Sequence, residues 1–567
     1  MTQTRPAVPG LRDGEIDPAE QARMVAALAQ WLRAQPHGEA AAGVEVIETH
    51  ISFVLLGGGH AYKIRKALNL GFLDFTSLAS RRLDCEEELR LNRRLAPALY
   101  LGVLPVTGSV ARPAVAGDGP VIDWAVRMRA FPQDAQWDRA IGHGGVQPKH
   151  VDELADLLWP FHRDAPVCAA GAADTGPGRP AAVRAPVQEC LRTLETMLVN
   201  APDRDRVGAL SGWEAQAFAA LRGAFGQRAR QGCIREGHGD LHLGNVTQLD
   251  GRCTVFDCIE FNAALRRIDV MSDVAFIAMD LRSHARADLA HRFVNAYLER
   301  SGDYAGVRVL RYYLVYRALV RAKVAALREA QLAAGAAVSA GADAARAAAT
   351  AAVDRYLDVA LAFSHTPRPT LMLTHGFSGS GKTVGSQSLL ERCGAIRVRA
   401  DVERKRLFGL AANARSASAP NAGLYSSAAT DATHARLRQA ARAALKSGFS
   451  VILDATFLAH EPRAQARALA DALGARFVII DFRADLPTLR ERVRQRALRR
   501  DDASEADIDV LEAQLAHAQP LRPEEAAAVF ACDTAHAGRA GVTGEDWSAL
   551  LDRLGAREST FLPRAAT

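Results

Sequence analysis

The chain has 567 residues, 49% of them hydrophobic and 24% charged, with a formal net charge of +6. At roughly 150 residues per domain this length predicts three or four units of ordinary globular composition, and the mild positive balance is too diffuse for a nucleic-acid footprint. Eight cysteines without C-x-x-C spacing argue against a zinc ribbon or disulfide framework, and the absence of an apolar leader or long apolar run predicts a cytoplasmic protein without a membrane partner.

Residues 1–17 read as a loose arm. Ala19 to Ala34 has helical spacing (Met24, Val25, Leu28, Trp31, Leu32) and stops before Pro36. A strand-like run from Val44 to Leu56, the cluster Gly57-Gly58-Gly59 and the run Ala61 to Lys66 predict a β-hairpin. Leu78 to Leu95 is predicted as a charged helix carrying Glu86, Glu87 and Glu88. Val121 to Phe131 alternates like a strand and ends at Pro132. Helices are predicted over 151–164 and about 209–228, with Gly171 to Pro186 as a surface loop between them. Ala305 to Leu332 is a long helix. Ala333 to Ala352 is alanine-dominated, and its composition leaves helix and flexible segment both open.

Between these helices lies His238-Gly-Asp-Leu-His-Leu-Gly-Asn245. An Asp and an Asn five apart, with a His two before the Asp, is the spacing of a kinase catalytic loop. There Asp240 accepts the acceptor's hydroxyl proton and Asn245 holds Mg²⁺. Asp250-Gly251 predicts a two-residue hairpin turn that pairs Gln248 with Cys253 and Asn245 with Phe256. Asn245 and Asp257 then leave the open end of one hairpin together, as two oxygen ligands for Mg²⁺. A kinase also needs a strand lysine for the nucleotide phosphates and a helical glutamate to hold it. Lys63 is the candidate, with Lys66 behind it, and Glu88 is the partner. Met128 to Gln133 is the position for a hinge that meets adenine. Asp269 reads as a helix N-cap, and His242 as a local hydrogen-bonding residue.

His365 to Pro369 reads as a linker. Beyond it, strands are predicted near 370–374, 396–400, 450–454, 476–482 and 528–532 with helices between, a parallel doubly wound sheet. Gly376-Phe377-Ser378-Gly379-Ser380-Gly381-Lys382-Thr383 fits G-x-x-x-x-G-K-[ST] between a strand and a helix. Such a loop wraps the phosphates of ATP or GTP in backbone N–H groups, Lys382 reaching the β/γ oxygens and the Thr383 hydroxyl ligating Mg²⁺. Val451 to Asp454 is a buried strand whose final acid is placed to hold Mg²⁺ through water, with Thr456 close behind. A helix near 486–500 carries Arg492, Arg496, Arg499 and Arg500. Arg492 and Arg496 share a face and predict a basic lid over ATP, a solvated basic helix being the alternative. No aromatic platform accompanies them, which argues against a polynucleotide partner.

On Tyr62-Lys63-Ile64-Arg65-Lys66, Gly71 to Phe75, Glu87 to Leu95, His238 to Asn245 and Tyr316 to Lys323, the first half resembles the aminoglycoside phosphotransferase-like kinases. It is most similar to the bacterial group fused to a P-loop kinase domain, the bifunctional aminoglycoside phosphotransferase/ATP-binding proteins. The resemblance implies a two-lobed protein-kinase-like fold; it does not imply an aminoglycoside substrate. The second half resembles small P-loop kinases of the adenylate/gluconate kinase type, including polynucleotide-kinase and zeta-toxin-like members. On Arg399 to Arg406 that likeness implies that Asp401 orients or deprotonates the acceptor hydroxyl and Arg404 steadies charge. An N-cap is the alternative for Asp401.

The expected organisation is an arm and helix (1–40), a protein-kinase-like domain (41–364), a linker (365–369) and a P-loop kinase domain (370–560). The fold class is α/β and α+β. The expected function is an ATP- and Mg²⁺-dependent phosphotransferase acting on a small-molecule hydroxyl. The alternatives are a regulatory ATPase and a polynucleotide-end or zeta-toxin-like kinase.

Overall fold

The computed structural model describes residues 16–35, 43–69, 71, 73–168, 176–334, 340–412, 414, 423–499, 503–534 and 544–554. Outside these fall most of the N-terminal arm, Phe72 of the Gly71–Phe75 signature, the start of the Gly171–Pro186 segment, residues 335–339 of the alanine-rich stretch, and Arg500. The chain divides into two compact units. One holds residues 1–146, 160–168 and 234–268; the other holds 147–159, 169–233 and 269–567.

The first unit is built on an antiparallel sheet of β1 (Glu45–Glu48), β2 (Ser52–Gly57), β3 (His60–Arg65), β4 (Tyr100–Ser109), β5 (Arg112–Val115) and β6 (Val121–Arg129), in the order β1-β2-β3-β6-β4-β5. The single run expected over 44–56 is two strands, because Thr49 and Ser52 close a turn between them (Thr49 N–H to the Ser52 carbonyl 2.9 Å, Ser52 N–H to Thr49 Oγ1 3.0 Å). The β2–β3 hairpin turns through Gly58 and Gly59 at φ 60° and 74°, the left-handed pair that a two-residue turn requires. Strand alternation then sorts the side chains. Ile64 and Tyr62 face Met24, Val25, Leu28 and Leu32 of the helix Pro18–Ala34, while Lys63 and Arg65 face the opposite side. That side is covered by the helix Leu78–Asn92, capped by Ser77. The segment that follows β7 (Ile234–Glu236) carries the short hairpin β8 (Val246–Leu249) and β9 (Arg252–Val255), and β10 (Arg267–Asp269) comes after it.

The second unit contains long helices and a parallel sheet. Pro180–Met197 is helical from its first residue, so the expected loop 171–186 is shorter than its Gly/Ala/Pro content suggests; Pro180 sits at the first helical position, where its missing N–H costs nothing. Ala340–Ser364 is a helix anchored by Val353, Tyr356, Leu357 and Ala360, and the Tyr356 hydroxyl donates to Asp280 (3.0 Å). Asp269 caps the helix Val270–Ser283, as expected, and also binds Arg228. The sheet comprises β11 (Thr370–His375), β12 (Ile396–Arg399), β13 (Val451–Asp454), β14 (Arg476–Arg483) and β15 (Val529–Asp533), all parallel, in the order β12-β13-β11-β14-β15. Burial on both faces explains the apolar runs of β11, β13 and β14.

Within the first unit, Arg81 and Asp123 form a fully buried ion pair (2.8 Å), and Gln21 donates to the second Asp123 oxygen (2.8 Å). Asp123→Ala strands the Arg81 guanidinium and should cost about 3–5 kcal/mol in urea unfolding. Glu86→Ala breaks only the half-exposed Arg82–Glu86 pair and should stay within about 0.5 kcal/mol. Equal losses would contradict the assignment of the Arg81–Asp123 pair.

Candidate active sites

In the first unit the expected residues converge. Asp250 and Gly251 have φ 51° and 72°, and the register pairs Gln248 with Cys253 and Val246 with Val255. The Phe256 N–H donates to the Asn245 carbonyl (3.0 Å), so Asn245 and Asp257 leave the hairpin side by side. His238 is buried and fastens the loop. Its Nε2 donates to the Phe256 carbonyl (2.9 Å), and its Nδ1 accepts from the Asp240 N–H (3.3 Å). Gly239 turns at φ 87°, and a Cβ there would lie 2.7 Å from the Leu265 carbonyl, so only glycine fits. The Asp240 side chain is 38% exposed and lies 3.5 Å from His242 Nε2. His242 acts locally, its Nδ1 accepting from the Gly244 N–H (3.1 Å), and the Asn245 amide donates to the Asp240 carbonyl (2.9 Å).

Lys63 Nζ donates to Glu88 Oε1 at 2.9 Å and to Asp257 Oδ1 at 2.6 Å. Burial works against the ammonium, but the Asp257 and Glu88 carboxylates raise it above its ordinary range. Burial likewise opposes the Asp257 charge, and the neighbouring Lys63 outweighs it and holds the carboxyl low. Lys66 is elsewhere, paired with Glu48 and lying over the Phe53 ring. At the end of β6, Met128 and Phe131 pack with Phe256 in an apolar cluster. Composition alone did not single out Arg65. It is buried beside Lys63 and binds Glu88 Oε2 (2.6 Å), Glu260 and Ser52 Oγ (2.9 Å), with Asp84 facing its Nε. The spacing Asp84, Glu88, Asn92 on one helical stripe was the available signal.

In the second unit the loop 376–381 follows the central strand β11 and leads into the helix Lys382–Cys393. Gly376, Gly379 and Gly381 have φ of 137°, 85° and 84°. The first N–H groups of this helix have no intrahelical acceptor, which makes its N-terminus an anion-binding end. Lys382 Nζ donates to the Phe377 carbonyl (2.6 Å) and lies 3.4 Å from Ser380 Oγ, both neutral oxygens. Burial pushes the ammonium down to about 8 against the pull of Asp454, and Arg496 adds to the fall. A buried ammonium with neutral partners, at the positive end of a helix, fits the phosphates of a nucleotide. Thr383 is the second residue of the same helix, and Asp454, at the end of β13, contacts Ser386 Oγ (3.3 Å) and Thr374 Oγ1 (3.4 Å). The Thr456 carbonyl accepts from the Gly376 N–H (3.2 Å).

The other expected residues are more dispersed. Arg399, not Asp401, occupies the N-cap of the helix Ala400–Leu407; Asp401 lies in its first turn, close enough to act on the Lys382 charge. Arg404 is engaged with the Leu424 carbonyl (2.8 Å) and Thr430 Oγ1 (3.1 Å). Arg492, on the helix Leu486–Arg499, reaches the Gly379 carbonyl (3.4 Å) and the Thr534 carbonyl (2.7 Å), while Arg496 donates to the Ala506 carbonyl (2.8 Å). Two contacts escaped the sequence. Gln514 brackets Ser378, accepting from its N–H (2.9 Å) and donating to its hydroxyl (3.0 Å), and Thr534 Oγ1 donates to the Ser380 carbonyl (3.0 Å). The helix Ala287–Ser301 flanks β12. Asn295 bonds Ala395 and Arg397, and Glu299 pairs with Arg399 (3.0 Å), which is 3.9 Å from Asp454.

Because Lys382 loses its proton near pH 8 and a bound phosphate restores it, nucleotide binding should take up nearly one proton at about pH 9 and little at about pH 7. Lys63 stays charged throughout and contributes nothing to this uptake. Calorimetry in buffers of different ionisation enthalpy measures it. Uptake that persists in Lys382→Met would contradict the assignment.

A model of the AAA domain matches residues 371–521. The uncharacterized protein Rv2004c of Mycobacterium tuberculosis is 31% identical over 468 residues, which cover 81% of this chain and 88% of that protein; Mb2027c of Mycobacterium bovis matches with the same figures. Among solved structures, a choline/ethanolamine kinase family protein from Mesorhizobium loti is similar at 15% identity and a TM-score of 0.34, covering 61% of this chain and 99% of that one. Chaetomium thermophilum Kti12 in complex with ADP-AlF3 is similar at 18% identity and a TM-score of 0.25, covering 33% and 99%. Among the described residues no helix is long and apolar enough to cross a membrane. The chain belongs to the family of these mycobacterial proteins, and its residues 371–521 form an AAA domain within it.

Proposed function

We infer that the chain is an ATP-dependent phosphotransferase with two nucleotide sites, each passing a phosphoryl group to a hydroxyl of a small molecule. The observation that carries this reading is the meeting of Lys63, Glu88 and Asp257 beside the hairpin end that also releases Asn245, five residues after Asp240. In the first site Asp240 takes the acceptor's hydroxyl proton as its oxygen bonds to phosphorus and ADP leaves. Lys63, braced by Glu88, steadies the phosphates. Asn245 and Asp257 would hold Mg²⁺, which supplies charge neutralisation on the phosphates. In the second site the loop Gly376–Gly381 and Lys382 grip phosphate. Thr383 and Asp454 would hold the metal, Asp401 and Arg404 serve the acceptor side, and Arg492 and Arg496 close over the nucleotide.

A regulatory ATPase is the second reading, favoured by the run Glu299–Arg399–Asp454, which links a helix that precedes the linker to the P-loop acid. The test incubates the full chain with γ-labelled ATP, Mg²⁺ and a metabolite extract. Asp240→Asn should lower one labelled product by about 10²-fold or more. Lys382→Ala should remove another. Unchanged labelling in both variants, with ATP still bound, would overturn the phosphotransferase and leave the regulatory reading.

A further inference from the structure

Glu88 divides its carboxylate between two cations: Oε1 takes Lys63 (2.9 Å) and Oε2 takes Arg65 (2.6 Å). The segment after β9 answers with two acids three residues apart. Asp257 binds Lys63 (2.6 Å), and Glu260 binds the same Arg65 Nη2 that holds Glu88. The result is a closed ring, Lys63–Glu88–Arg65–Glu260, with the chain from Glu260 back to Asp257 completing it. The stretch between is fastened as well. The Asp257 N–H donates to the Tyr100 hydroxyl (3.2 Å), and the Cys258 N–H donates to Asn92 Oδ1 (2.8 Å), whose amide in turn donates to the Glu88 carbonyl (3.0 Å). Asp257 itself sits at φ 61°, a left-handed conformation that a non-glycine residue keeps only when its surroundings fix it.

Lys63 and Glu88 have a role in the proposed reaction; Arg65 and Glu260 have none in it, yet both are buried to within a few per cent. Two cations there face four carboxylates, Asp84, Glu88, Asp257 and Glu260. Retaining Glu260 in such company is costly unless its bond to Arg65 serves a purpose. Lys63 shares its ammonium between Glu88 and Asp257, so drawing it toward a phosphate loosens its hold on both. Arg65 holds Glu88 independently of Lys63, and Glu260 ties the segment that follows Asp257 to the same guanidinium.

We propose that Arg65 and Glu260 are positioning residues of the first site, a clamp that ties the Asp257 segment to Glu88 and holds the Asp257 carboxylate in line for a nucleotide-bound divalent cation. This rests on the reading that the first site binds a magnesium nucleotide. Within this clamp Glu260 acts on the metal-ligand segment and not on the phosphate grip, so its loss changes the metal dependence of binding and leaves metal-free binding alone.

The experiment uses the full chain carrying Lys382→Ala, which removes the P-loop's hold on nucleotide. ADP affinity is measured by calorimetry across a Mg²⁺ titration and in EDTA. If metal-supported ADP binding is absent here, or survives Lys63→Ala, the reading of the site has failed and the clamp falls with it. Where that binding is present, Glu260→Gln should raise the Mg²⁺ concentration for half-maximal tightening by about tenfold, as losses of residues that orient a metal ligand do. ADP affinity in EDTA should stay within about twofold. Arg65→Lys keeps the charge but loses the planar guanidinium that reaches Ser52, Asp84 and both glutamates together, so it should raise the Mg²⁺ requirement as well. An unchanged Mg²⁺ requirement, or an equal loss with and without Mg²⁺, would overturn the clamp while leaving the site's assignment intact. If Glu260→Gln fails to fold, Glu260→Asp, which withdraws the carboxylate by one methylene, carries the same two outcomes.

Discussion

The first unit depends on a cluster of buried charges that satisfy one another. Lys63 and Arg65 leave the same face of β3, and Asp84 and Glu88 leave one stripe of the helix behind it. Desolvating any of these groups alone would cost several kcal/mol, so each is tolerable only in the presence of the others. Burial and the neighbouring Glu88 raise the Glu260 carboxyl, and the Arg65 guanidinium opposes the rise. The cluster therefore joins strand, helix and the segment after β9 into one unit, and the geometry of the candidate site follows from that joining.

The P-loop half solves a related problem with backbone instead of side chains. Its central strand ends in a loop whose glycines take left-handed angles, so that N–H groups and a helix N-terminus provide the positive end. Lys382 is the only side-chain charge in the motif, and burial weakens it until an anion arrives. The parallel order sets Asp454 next to this loop and Arg399 next to Asp454, because β13 lies between β11 and β12. Glu299 reaches Arg399 from the helix Ala287–Ser301, so the surroundings of the P-loop acid include a side chain that precedes the linker.

Local signals were the legible ones. Asp250-Gly251 fixes a tight turn and hence a register, which brings Asn245 and Asp257 together from sequence alone. The P-loop and the five parallel strands were legible because motif and apolar runs are contiguous. β4 and β5 were not, since Gly102, Pro105, Gly108 and Pro113 interrupt their alternation. Pro180 read as a loop residue although it opens a helix. Arg65 stood in view two residues after Lys63, but its partners are 19, 23 and 195 positions away, and only folding brings them to it. Gln514 and Thr534 reach the phosphate loop from equally distant sequence, for the same reason.

Two independent nucleotide sites, one resting on side-chain charge and one on backbone, are the central claim. Calorimetric titration of the full chain with a non-hydrolysable ATP analogue and Mg²⁺ tests it most directly. Two equivalents should bind, with one remaining in Lys382→Ala, one in Lys63→Ala and none in the double variant. A single equivalent in the unaltered chain, or loss of both on changing Lys382 alone, would contradict it.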